Sequence, residues 1–189
     1  MVERMARRTE SELVWAERTA TDLLAPLEAR WRHTVRVVER AQSFRDVLDR
    51  DELEVLLAAG YLHDVGYAPE LTKTGFHPLD GARFVRDAGH ERLAGLVAHH
   101  SASDAEAEER GFTDELAQFP AEDSLVARAL TYCDLTTGPN GEEVAVSARL
   151  VELGDRLGGD DPTVRAVRRE ATRLAAVVDE MESLLAGRR

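Results

Sequence analysis

Apolar residues recur along this chain at helical spacing and almost nowhere alternate. From Glu10 to Ala25 they fall at Leu13, Val14, Ala16, Ala20, Leu23 and Leu24, until Pro26 interrupts the run. Leu27 to about Phe44 carries Trp31, Val35, Val38 and Ala41 on one stripe, with Arg30, Arg32, Arg36 and Arg40 largely off it. Asp51, followed three residues later by Glu54, reads as a capping box opening the next helix. Leu53 to His63 is then apolar nearly all round, the pattern of a central helix rather than a surface one, and Gly66 reads as its stop.

Beyond the loop "ELTKTG", His77-Pro78 opens a helix, because proline is favourable at the first helical position. That helix ends near Gly89, and His90 to His100 forms another. "SASDAEAEERG" is polar throughout and reads as a looser connection. Asp123 or Ser124 caps the helix of "EDSLVARALTYCDL", and "TGPNGE" is a turn by composition. Two amphipathic helices follow, about Val144 to Leu157 and Pro162 to Leu185. The stripe of the second (Val164, Val167, Leu174, Val177, Val178, Leu184) suits core packing or a homodimer contact. No stretch alternates long enough for a sheet, and there is no internal repeat. At 189 residues the expectation is one all-α domain, a helical bundle.

Composition narrows the partners. A net charge of −12 works against general nucleic-acid binding, although a local cationic site, above all one made by metal ions, could still draw a small anion. Cys133 is the only cysteine, so no intramolecular disulfide forms and a reducing compartment is expected. No run is long enough to cross a bilayer, and "MVERMARRTESELVWAERTA" lacks the apolar core of a signal peptide. The expectation is a cytoplasmic protein with no membrane association.

The chemistry gathers on histidines. Five of the six can be tied together: His33, His63, His77, His99 and His100. Asp64 directly follows His63, and Asp134 ends an apolar helix. Unpaired carboxylates after apolar runs are costly to bury, and a shared cation removes that cost. Imidazole with carboxylate suits Mn, Fe, Co, Ni and Zn, whereas zinc fingers are excluded by the single cysteine and an H-E-x-x-H helix is absent.

In their order and spacing, His33 in "RHTVRVVERA", His63-Asp64 in "YLHDVGY" and Asp134 in "TYCDLTT" make the chain similar to the HD-domain superfamily of metal-dependent phosphohydrolases. "FHPLDGARF" around His77 and "LVAHHS" around His99 and His100 resemble the HDIG-like subset, which commonly holds two metals. The resemblance covers about residues 28–138, with the helices of about 144–186 expected to pack on that core. It implies that His33, His63, Asp64 and Asp134 bind one metal, and that Asp64 bridges to a second completed by His77 and His99. The implied cofactors are two divalent transition metals per chain, Fe, Mn, Co or Ni, with Mg as a further candidate. A water or hydroxide between them would be the nucleophile, with His63 and Asp64 at the catalytic centre. The implied substrate is a small phosphorylated metabolite or nucleotide. The same superfamily also contains mixed-valent di-iron oxygenases built on this ligand set, the alternative for this chain.

Two departures bear on the substrate. Tyr67 stands where many relatives carry a lysine, and Lys73, the chain's only lysine, is the expected replacement for its contact with phosphate. No "GYP" follows His99-His100, which argues against hydrolysis of cyclic dinucleotides. Arg30, one helical turn before His33, and His100 are further candidates for gripping substrate. Simpler roles stand beside these: His77 as a cap before Pro78, His90 as a helix-start residue, and Cys133 as a buried, inert thiol.

Overall fold

The computed structural model describes residues 11–187, so a helix start at Glu10 lies outside the described residues. The all-α expectation holds. The described residues form helices joined by short turns, and the one β-type pairing among them is an isolated bridge between Thr137 and Glu143.

Helix α3 (Arg50–Leu62) is the hub, packing against α1 (Glu12–Leu24), α2 (Glu28–Ala41), α5 (Glu91–Ala98) and α8 (Leu125–Leu135). Its run from Leu56 to Gly60 and Leu62 beyond it are buried, with Tyr61 half-buried between, as near-continuous apolarity requires. Gly60 lets α2 come close: a Cβ there would lie 3.2 Å from Val38 Cγ2. Truncating a side chain such as Leu56, which is fully buried, should cost about 2–5 kcal/mol. Helix α3 begins two residues earlier than a cap at Asp51 implies. Asp49 is the cap, its carboxylate accepting from the Glu52 amide at 2.9 Å, while Asp51 lies inside the first turn. Helix α2 likewise stops at Ala41, and Gln42–Asp46 tightens into a 3₁₀ turn around buried Phe44.

Helix α4 (His77–Asp87) starts with Pro78 in its first turn and packs on α5. The preceding loop is tied down by buried Asp80, whose carboxylate accepts from the amides of Lys73 and Thr74. The segment after His100 is not a loose connection. Ser103–Arg110 forms helix α6, closed by Gly111 at φ 76°, and Thr113–Leu116 adds a single further turn, α7. The acidic composition of α6 hid its small buried face, Ala105, Glu106 and Ala107.

Helix α9 (Val146–Leu157) and α10 (Pro162–Ala186) complete the bundle. Asp161 caps α10, and its stripe of Val164, Val167, Leu174, Val177, Val178 and Met181 is buried within the chain, against α6, α8 and α9. No helix of the described residues is long and apolar enough to cross a membrane.

Candidate metal centre

Five elements deliver side chains to one point. His33 sits inside α2, His63 and Asp64 follow the last turn of α3, His77 opens α4, His100 follows α5, and Asp134 lies near the end of α8. Neighbouring members touch in sequence. His33 Nε2 is 3.2 Å from Asp134 Oδ1 and 3.4 Å from His63 Nε2. His63 Nε2 is 3.4 Å from Asp64 Oδ2, His77 Nε2 is 3.4 Å from Asp64 Oδ1, and His77 Nε2 is 3.4 Å from His100 Nε2. Two groups result, His33 with His63 and Asp64, and Asp64 with His77 and His100; Asp64 is common to both.

Backbone carbonyls fix the histidine tautomers. Nδ1 of His33 donates to the Gly138 oxygen at 3.0 Å, that of His63 to Gly60 at 2.8 Å, and that of His100 to Val97 at 2.7 Å. A carbonyl oxygen only accepts, so each Nδ1 carries a proton, and Nε2 is the nitrogen turned inward, free to ligate a cation once it gives up any proton of its own. Three imidazoles therefore turn Nε2 towards carboxylate oxygens in a buried space. Such a donor set needs positive charge at its centre, which a cation would supply, so these residues fit a bound metal.

In the metal-free protein a proton and a guanidinium carry the compensating charge. Burial opposes protonation of His63, but Asp64, Asp134 and the Gly60 carbonyl outweigh it and push its pKa up to about 9. For Asp64, burial favours the neutral acid, yet Arg30, His63 and His77 hold it well below the usual carboxylate range. Asp134 is depressed against the same burial effect by its hydrogen bond with His33 and by the charge of His63. His77 and His100 go the other way. Burial lowers both, and neighbouring positive charge adds to it, so they stay neutral.

Arg30 and Tyr67 flank this cluster. The Arg30 Nη1 donates to Asp64 Oδ2 at 2.5 Å, and the guanidinium lies 4.0 Å above the Tyr67 ring centre. The other face of Tyr67 stacks on the His77 imidazole, with ring centres 4.1 Å apart and planes 17° apart. Two groups that close to one ring centre can only occupy opposite faces. Tyr67 is thus a spacer that orients His77 and Arg30 together.

The His99 expectation is corrected by the geometry. Its Nδ1 pairs with Asp104 at 2.8 Å and its Nε2 donates to the Phe119 carbonyl oxygen at 3.1 Å, so neither nitrogen faces the cluster. His99 is the C-cap of α5, and the next residue is rotated onto the Asp64 side, which puts His100 where His99 was expected. Lys73 is also displaced. Its amide is held by Asp80, its side chain is exposed, and it does not line the cavity beside the cluster.

That cavity, about 210 Å³, is lined by Arg30, Asp64, Tyr67, His77, His100 and Asp134 on one part. The rest of its wall comes from residues that the sequence reading missed. Arg149 and Arg156 of α9 line it, as do Glu106 and Arg110 of α6 and Thr163 of α10. Ser101 lines it too, in the left-handed region at φ 56°, with its hydroxyl on Asp134 Oδ2 at 2.5 Å. A strained non-glycine residue touching a ligand-type carboxylate is the kind of local signal that only coordinates reveal.

A family model, the HD domain, matches residues 30–160. The chain belongs to the HD domain family. The match runs past residue 138 and takes in α9, so the helix carrying Arg149 and Arg156 lies within the HD region. Membership places the chain in a superfamily of metal-dependent phosphohydrolases, and the donor set above could hold a metal. No curated protein and no solved structure matches it.

Proposed function

We propose that this HD domain is a dinuclear metal-dependent phosphohydrolase acting on a small phosphorylated metabolite or nucleotide. The observation supporting two metals rather than one is the orientation of Asp64. Its Oδ2 faces His33 at 3.8 Å and His63 at 3.4 Å, while its Oδ1 faces His77 at 3.4 Å, so the carboxylate is turned to serve two centres. His33, His63, Asp64 and Asp134 would hold one divalent cation, and Asp64, His77 and His100 the other, with Fe, Mn, Co, Ni or Mg as candidates. Bound there, such cations supply an acidified water and neutralise the charge that develops on a phosphoryl group under in-line attack.

The protein's own groups supply the rest. Carbonyls of Gly138, Gly60 and Val97 keep three imidazoles in the ligating tautomer without reorganisation. Arg30 presents a planar fork at the cavity, suited to phosphate oxygens, in the role first expected of Lys73. Buried flanks keep bulk water from this charge and strengthen every interaction made there.

A panel of phosphomonoesters, nucleotides and cyclic nucleotides with Mn, Co, Ni or Mg should show phosphate release without oxygen. Asp64→Ala should abolish it and empty both metal sites, whereas Arg30→Ala should mainly raise KM. Two tightly held irons per chain, oxygen consumption with a small substrate and no ester turnover would instead establish an oxygenase.

A further inference from the structure

The α9 wall of the cavity carries its own chemistry. Arg149, Leu153, Arg156 and Leu157 follow one another at spacings of four, seven and eight residues from the first, so one face of the helix lines the cavity. Arg149 is only 7% exposed, yet among the described residues its one polar partner is Glu152, at 2.5 Å through Nη1. Glu152 is shared: its other oxygen accepts from Arg156 Nε at 2.6 Å. Two guanidinium groups thus divide one carboxylate, so this face of α9 carries more arginine than acid and keeps N–H donors without a protein partner among the described residues. Glu106 (paired with Arg110) and Asp161 (the cap of α10) line the same cavity. A buried arginine that is only half compensated is costly unless a ligand completes it.

Size and shape limit that ligand. The cavity volume of about 210 Å³ falls below the roughly 300–1,000 Å³ usual for drug-sized ligands. Tyr67 is the only phenylalanine, tyrosine or tryptophan in its lining, and both faces of that ring are covered, by Arg30 and His77. A nucleobase would find no aromatic face to stack on. Aliphatic Leu135, Leu153 and Val167 contribute to the lining, beside the acids Glu106 and Asp161.

We propose that Arg149 and Arg156 bind a second anionic group on the substrate, which is a short aliphatic phosphate ester carrying a carboxylate or second phosphate rather than a nucleotide. The assignment of the ester end to the metal cluster rests on the phosphohydrolase reading above.

Phosphonates test this by binding alone, since their P–C bond is not hydrolysed. Calorimetry on Mn-loaded protein would compare ω-carboxyalkylphosphonates of two to four carbons with alkylphosphonates of equal length, and with AMP. At least one carboxylated member should bind about tenfold or more tighter than its alkyl match. Arg149→Met and Arg156→Gln should each reduce that preference, the second at an exposed position where folding is safe, while leaving alkylphosphonate affinity unchanged. Equal affinity within every matched pair, or AMP binding tighter than all of them, overturns the second-anion site but leaves the hydrolase intact. Failure of every phosphonate to bind, together with no phosphate release from any ester, overturns both.

Discussion

Gly66→Ala should disturb the metal centre although the residue contacts no expected ligand atom through a side chain. The glycine is not a left-handed helix stop, since it has no positive φ; it lies in a 3₁₀ turn pressed against the start of α4. A Cβ there would lie 2.0 Å from the His77 carbonyl oxygen and 2.7 Å from the Gly81 amide nitrogen. Ordinary carbon contacts need about 3.5 Å, so α4 must retreat by more than about 1 Å, and both obstructing atoms are backbone. Overpacking of this kind costs about 1–3 kcal/mol, and the absence of a side chain able to yield points to the upper end. For a domain of this size that is a fall in Tm of about 6–12 °C. The same retreat carries His77 away from Asp64 Oδ1, now 3.4 Å away, while His33, His63 and Asp134 are left in place. Thermal melts and metal analysis should therefore show a less stable protein that has dropped from two ions towards one. Gly89→Ala is the control. It has φ 94° with nothing within 4 Å of its Cβ, so it should lower Tm and keep both ions. An unchanged Tm with two ions in Gly66→Ala would refute the close-approach argument.

Three further outcomes follow from the site. His100→Ala should lose the second metal while His99→Ala keeps it, read by metal analysis of both; the reverse pattern would restore His99 to the cluster. Because His63 is raised to about 9 without metal, Mn binding at pH 7.5 should release a proton from its Nε2, seen as a buffer-dependent binding enthalpy that shrinks by pH 10. The same shift makes His63 stabilise the metal-free fold fully below its ordinary 6.5, with that contribution lost as pH rises through about 9. A metal-free Tm that climbs from pH 7 to 9.5 would contradict it.

The helices with strong periodicity were legible because burial writes itself into sequence. Helix α3 is continuous in apolar residues and is the hub, and Asp64 and Asp134 stood out as acids ending apolar runs. What sequence could not supply was rotation about an element's end. His99 and His100 are adjacent, and only the backbone angles after α5 decide which imidazole faces Asp64. Gly66 was marked as special for the wrong reason, since a close approach by α4 leaves the same letter as a helix stop. Helix α6 was concealed because its buried face is made of alanines and a paired glutamate, which carry little hydropathy. The arginines of α9 were visible as a face of one helix, but nothing local tells which cavity that face closes.

The cover of the cavity is bonded to the centre through atoms with no motif. Arg173 of α10 donates to the Ser101 carbonyl at 2.8 Å, and Ser101 in turn holds Asp134. Thr163 at the start of α10 donates to Glu106 at 2.9 Å, and Glu106 also accepts from Arg110 at 2.7 Å. Helix α10 therefore constrains the strained residue beside one ligand and the polar floor of the cavity at once. This linkage has an energetic consequence. Asp64 and Asp134 are held ionised in a space where an isolated carboxylate would be strongly disfavoured, and without metal Arg30, the His63 proton and the hydrogen bonds of His33 and Ser101 to Asp134 compensate them. A divalent cation held there would replace that proton with greater charge and would bind the folded arrangement alone. Its binding free energy is then added to the stability of every element that positions a ligand, α10 included.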